Sequence, residues 1–270
     1  VKLAVSSIAW TNEEEPEVGQ LLNKLGVRFV EIAPTKKWER PIDASQAEID
    51  EYLDFWREHG IDVVAFQSML FNRPEMQIFE DEALREETRT YLEDFTGLAP
   101  RFGAVPLVFG SPKNRKRGDL SEEEAMAVAV PFFRSIGERA EKEGSVFCFE
   151  PNPTDYNCDF VTDAHGGIEL VRAVDSPGFG LHLDLAGMIL AGDDISSSIR
   201  DSSGILRHFH ISAPFLEDIT QVEESKHKQA ASALKEIGYD GLVSIEMKPG
   251  EGNLDRTERA VNLAQKIYSS

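Results

Sequence analysis

Cysteine is scarce in this chain. Cys148 and Cys158 are the two among 270 residues, too few to staple a chain of this length. Cys148 sits in the apolar run Val146-Phe147-Cys148-Phe149, where a small buried thiol is expected. No run reaches the roughly 18 apolar residues of a membrane span. The sequence opens Lys2-Leu3-Ala4-Val5-Ser6-Ser7-Ile8, without a basic-then-apolar leader, so a cytoplasmic location is expected. Positive charge is the other deficit: 28 Lys and Arg against 48 Asp and Glu leave a formal net charge of -20. Such a balance repels phosphate backbones and anionic lipid, so neither nucleic acid nor a membrane surface is expected as a partner.

What is present is a core. The chain is 41% hydrophobic, and short β-rich runs recur along it: Leu3–Ala9, Val27–Ile32, Ile61–Gln67, Ala104–Gly110, Ser145–Glu150, Gly178–Asp184, Leu206–Ile211 and Leu242–Met247. Most are almost continuously apolar, as strands covered on both faces are. Helical patterns separate them. Asp43 or Ser45 caps a helix carrying Ile49, Tyr52, Leu53 and Trp56 that ends at Gly60. Ser121, followed by Glu122-Glu123-Glu124, caps another that reaches Gly144, with a kink expected at Pro131. Thr162 opens a third, residues 254–267 form the last, and 193–204 carries the faintest helical pattern. No linker divides the chain, so 1–270 reads as one α/β domain, a single (β/α)₈ TIM barrel, which takes about 250 residues. A doubly wound sheet would place a glycine-rich turn after the first strand, where Ala9-Trp10-Thr11-Asn12 stands instead.

In such barrels the chemistry sits at the C-terminal ends of the strands. Four of the last runs end on a ligating side chain: Glu150, Asp184, His210 and Glu246. Three carboxylates packed together repel one another unless a cation lies between them. The oxygen-rich set suits one divalent ion, Mn, Mg or Co ahead of Zn.

With these residues in place, the chain resembles the xylose isomerase-like TIM barrel superfamily of sugar isomerases and epimerases, which also includes inosose dehydratase and endonuclease IV (AP endonuclease family 2). The motifs that carry the resemblance are Glu150-Pro151-Asn152, Gly180-Leu181-His182-Leu183-Asp184, His208-Phe209-His210 and Gly238–Glu246. It implies that Glu150, Asp184, His210 and Glu246 hold the metal. It also implies that Glu150 and Glu246 form the acid/base pair for proton transfer next to a carbonyl, through a metal-stabilised enediolate. The resemblance is incomplete. Gly187 stands where relatives carry a histidine, Ala213 where a polar residue is common, and Tyr156 where epimerases place a substrate-binding Glu.

The substrate side is read from the loops. Lys113, Arg115, Lys116 and Arg117 follow the fourth strand, Lys36, Lys37 and Arg40 the second, and Lys248 the eighth. Basic loops on an acidic protein suggest an anionic carbohydrate substrate, such as a sugar phosphate, uronate or keto-acid. Trp10, Trp38, Phe66 and Met69 are candidates for an apolar wall, and Gln67, Asn152 and Glu31 for polar contacts. His182 shares the parity of Asp184 one layer deeper. A core position is favoured for it over a substrate contact. His208 is either a partner of His210 or core, and His165 and His227 are expected at the surface.

The leading activity is a metal-dependent isomerase or epimerase. The alternative is a dehydratase or lyase sharing the same first deprotonation. An endonuclease IV-like phosphodiesterase is disfavoured by a total of six histidines and by the net charge. A barrel kept only for binding is the remaining class, and homo-oligomerisation stays open.

Overall fold

The eight apolar runs become eight parallel strands that pair in sequence order and close on themselves. A computed structural model describes residues 1–268. The strands are β1 Lys2–Ser6, β2 Phe29–Ile32, β3 Asp62–Phe66, β4 Pro106–Phe109, β5 Val146–Phe149, β6 Phe179–Asp184, β7 Leu206–Ser212 and β8 Leu242–Glu246. The connecting helices are α1 Glu15–Lys24, α2 Pro34–Lys37, α3 Gln46–Glu58, α4 Glu82–Phe102, α5 Glu122–Glu143, α6 Ala164–Val174, α7 Leu185–Ala191, α8 Ile195–Asp201, α9 Glu224–Glu236 and α10 Asn253–Tyr268. Among the described residues no helix is long and apolar enough to cross a membrane.

Local chemistry sets the helix boundaries. Ser45 and Ser121 each close a capping box, with Glu48 and Glu124 reaching back to the serine N–H. α5 runs unbroken through Pro131. Asp163, one residue after Thr162, caps α6 by accepting from the Gly166 N–H. α7 is the element that the sequence did not announce. It starts directly at the end of β6, with Asp184 as its N-cap, so no loop separates strand from helix.

Alternation along each strand decides what faces the barrel axis. Phe147 and Phe149 pack outward on Phe133 of α5, with ring centroids 6.3 and 5.3 Å away. That turns Cys148 and Glu150 inward. The same parity turns His182 and Asp184 of β6, His208, His210 and Ser212 of β7, and Ser244 and Glu246 of β8 toward the axis. Register then stacks them in layers: His182 pairs with His208, Asp184 with His210, and Ser212 with Glu246. A barrel interior is normally filled by branched aliphatic residues. Here its β5–β8 side is polar from mid-strand to mouth.

Candidate functional site

Asp184, His210 and Glu246 bring one ligand atom each within 4.8 Å of one another. Asp184 and His210 are held from behind. Asp184 Oδ1 accepts from the Ser212 hydroxyl, and Oδ2 accepts from the Gly187 N–H at 2.7 Å. His210 Nε2 lies 2.9 Å from Glu31 Oε2, and its Nδ1 lies 3.4 Å from Glu246 Oε2. That Nδ1 is buried and has no hydrogen-bond partner. Two carboxylates and an unpartnered imidazole nitrogen converging in a buried place fit a divalent cation. These three residues can hold one.

Glu150, the fourth expected ligand, stands outside that close group but inside its field. Burial, then Glu246 and Asp184, push its carboxyl up to about 8. Burial and then Glu246 raise Asp184 to about 6. Burial alone would depress His210, but the Glu31 and Glu246 carboxylates outweigh it and hold the imidazole well above its ordinary range. Glu31 is itself fully buried, and burial works against its charge. The His210 and His208 imidazoles nonetheless bring it down to about 2.

Glycine at position 110 makes room for Glu150. A Cβ there would lie 2.3 Å from Glu150 Oε2 and 3.2 Å from Asn152 Oδ1. The obstructing atoms are side-chain ends, so Gly110→Ala moves the carboxylate and spares the backbone. Little change in thermal midpoint is expected, and any reaction that uses the Glu150 carboxylate should slow by about 10-fold or more, because small misplacements of a reacting group cost rate steeply.

The basic loops are built differently from the sequence expectation. Arg115 is fully buried. Its guanidinium donates to the carbonyls of Gly110 (2.7 Å), Phe160 (2.8 Å) and Glu150 (2.7 Å), and to Asn152 Oδ1 (3.1 Å). It lies 4.4 Å from the Phe149 ring centroid. An arginine with its donors committed to the loops after β4 and β5 braces those loops and is not free to grip an anion. Arg115→Ala should therefore cost about 3 kcal/mol or more of stability, read by denaturant unfolding, because it strips several buried acceptors at once. Lys36 is likewise tucked in, donating to the carbonyls of Ser7 (2.6 Å) and Trp10. Arg117 donates to the carbonyls of Asp159 and Leu120, and Lys116 to Asn157. Lys248 pairs with Glu217, while Lys113 is exposed.

The proposed apolar wall is mostly packing. Trp10 is buried against Trp56 with centroids 6.0 Å apart, half-buried Trp38 packs on Tyr52 and Phe102, and Phe66 is buried against Phe102. Gln67 donates to Ser6 Oγ, and Asn152 is occupied by Arg115 and the Pro151 carbonyl. His182 lies deep and fully buried, as parity indicated. His165 is exposed, but His227 is not. It is fully buried, with Nδ1 3.2 Å from the Tyr268 hydroxyl and Nε2 3.0 Å from the Ile219 carbonyl. Helix α9 turns that face onto α10, which residue type alone does not reveal.

Two features escaped the sequence reading. Ser212, two residues beyond His210 and of the same parity, buttresses Asp184 and also accepts from the Ala186 N–H at 3.0 Å. At the mouth, Tyr156 after β5 meets Phe215 after β7, with ring centroids 5.8 Å apart. The Phe215 N–H donates to the Tyr156 hydroxyl at 3.1 Å, and Phe215 is exposed with φ 60°. No local pattern marks either contact.

Residues 20–266 match the family described as Xylose isomerase-like TIM barrel. Among curated proteins, none matches the chain in sequence. Among solved structures, it is similar to D-psicose 3-epimerase with D-tagatose from Clostridium cellulolyticum H10, at 17% identity, TM-score 0.81 and 99% coverage of both chains. It is also similar to the IOLI protein with a zinc atom, at 21% identity, TM-score 0.74 and full coverage of both chains (100% each). A third is the probable 3-DHS dehydratase AsbF from Bacillus anthracis, at 17% identity, TM-score 0.70, covering 98% of this chain and 99% of that one. At these identities the likeness is one of fold.

Proposed function

The chain belongs to the xylose isomerase-like TIM barrel family, and on that premise we propose that it is a divalent-cation-dependent isomerase or epimerase of a sugar or sugar acid. The observation that carries this reading is the convergence of Asp184, His210 and Glu246 on one buried point, with a fourth carboxylate, Glu150, beside them and tuned to about 8. Asp184, His210 and Glu246 would hold the ion, Mn, Mg or Co by the oxygen-rich donor set and Zn by its imidazole. Such an ion supplies polarisation of a substrate carbonyl.

The remaining work falls to the protein. Glu150 takes the proton from the carbon beside the carbonyl. A carboxylate placed beside the bound carbonyl can both accept and return a proton. Gly110 leaves the space in which that carboxylate swings, and Arg115 fixes the backbone carbonyl of the same residue. Glu246, at the end of β8, is the second carboxylate, for transfer on the opposite face of the substrate. Ser212 and the Gly187 N–H orient Asp184 and favour its ionised form against burial. Tyr156 and Phe215 form the lip against which a sugar ring packs, and exposed Lys113 is the charge that draws an anionic substrate.

The test is incubation with a panel of ketoses, keto-acids and uronates in D₂O with Mn²⁺. Deuterium entering recovered sugar beside the carbonyl supports the proposal. An unsaturated or dicarbonyl product instead identifies a dehydratase. No exchange by protein that holds its cation rejects catalysis of this class.

A further inference from the structure

Below the three converging ligands lies a second group that the proposed chemistry does not touch. Glu31, His182 and His208 are all fully buried in the barrel. His208 Nδ1 is 3.1 Å from His182 Nδ1, and His208 Nε2 is 3.7 Å from Glu31 Oε1. With His210 Nε2 at 2.9 Å from Oε2, the Glu31 carboxylate faces two imidazoles from one side of the barrel.

Proton accounting orders the whole group. A carboxylate only accepts, so His210 Nε2 must carry a proton. At 3.7 Å the His208 contact is too long for a good hydrogen bond. A lone pair there would nevertheless face the carboxylate oxygen, so the proton of neutral His208 also belongs on Nε2. His208 Nδ1 is then an acceptor, and His182 Nδ1–H donates to it. Every ring is assigned from one anion. The consequence at the mouth is that His210, its Nε2 proton held by Glu31, keeps Nδ1 as the nitrogen it can offer toward Asp184 and Glu246.

We propose that Glu31 is a positioning residue: through His210 Nε2–H, and pinned in turn by the His208–His182 pair, it fixes which nitrogen and which ring orientation His210 presents to a cation. This rests on the cation reading above. A carboxylate behind a ligating histidine locks tautomer and ring and raises ligand basicity, and losing such a partner typically weakens metal affinity about 10- to 100-fold. Two substitutions separate charge from hydrogen bonding. Glu31→Gln can still accept from His210 Nε2–H through its carbonyl and so retains the His210 tautomer without the charge, while its amide, a donor turned to His208 Nε2, moves the His208 proton to Nδ1. Glu31→Leu retains neither.

The experiment is titration of chelator-treated protein with Co²⁺, following heat and the visible absorption spectrum, beside the thermal midpoint of each cation-free variant. Wild type should bind one equivalent. Glu31→Leu should bind about 10- to 100-fold more weakly with an altered spectrum, and Glu31→Gln should fall between the two and restore the wild-type band shape. If Glu31→Leu does not fold, the Gln variant decides: affinity and spectrum both unchanged overturn the inference. A folded Glu31→Leu with wild-type affinity overturns it equally. A second Co²⁺ equivalent in wild type, lost in His208→Gln, also overturns it, because the imidazoles would then be ligands themselves. Wild type binding no Co²⁺ rejects instead the cation reading on which the inference stands.

Discussion

Glu150→Gln should slow solvent-proton exchange beside the substrate carbonyl by about 10²- to 10⁴-fold, the usual worth of a positioned acid/base group, while the cation stays bound. The two side chains are nearly isosteric, so the packing of this side chain against Gly110 survives. What disappears is a group able to take a proton. Asp184, His210 and Glu246 converge without Glu150, so the binding loss should be partial and smaller than for His210→Ala. Exchange by NMR, beside metal content on the same preparation, checks both halves. If the cation vanishes as completely as in His210→Ala, Glu150 is chiefly a ligand and the base lies elsewhere. Unchanged exchange with the cation bound removes it from the chemistry.

The cation-free protein should lose stability as the pH rises from about 6.5 to about 8.5, and a divalent cation should abolish that loss. Glu150 holds its proton up to about 8 in the fold against an ordinary value of 4.5. Its contribution is therefore complete at low pH and is lost as pH rises through the folded value. Raised His210 acts in the same sense. Asp184, raised to about 6 from 3.8, loses its contribution earlier. Below an ordinary histidine value of 6.5 the trend is opposed, because His182 and His208 are depressed and stay neutral in the fold while their unfolded counterparts take up protons. Above 6.5 that opposition is spent, and the burial of Glu150 beside the other carboxylates, with raised His210, sets the trend. A fall in thermal midpoint of about 5 °C or more is expected for a chain of this size. Binding releases the same protons, so affinity should rise with pH. Equal slopes with and without Mn²⁺ would refute the account.

Much of this was legible because barrel strands bury both faces and alternate strictly. The apolar runs locate the strands, and parity together with position at a strand end picks out Glu150, Asp184, His210 and Glu246 as side chains facing one mouth. α7 stayed hidden because Asp184 ends a strand and caps a helix at once, and Gly187 weakens the helical pattern. Arg115 sits in a basic run that looks solvated. Its burial is decided by carbonyls 35 and 45 residues further on, at Glu150 and Phe160. Glu31 meets His210 across 179 residues. Barrel closure makes that contact, and no local spacing encodes it. The burial of His227 is hidden from the sequence for a related reason: its helix offers two faces, and only the docking of α10 decides which one is buried.

The ends of β6, β7 and β8 can form one cation site. Metal content of protein purified without added metal, compared among wild type, Glu246→Gln and His210→Ala, tests it most directly. Near-stoichiometric divalent metal is expected in wild type, with its loss in both variants. Wild type that carries no metal, and gains no thermal stability when Mn²⁺, Co²⁺ or Zn²⁺ is added, would contradict it.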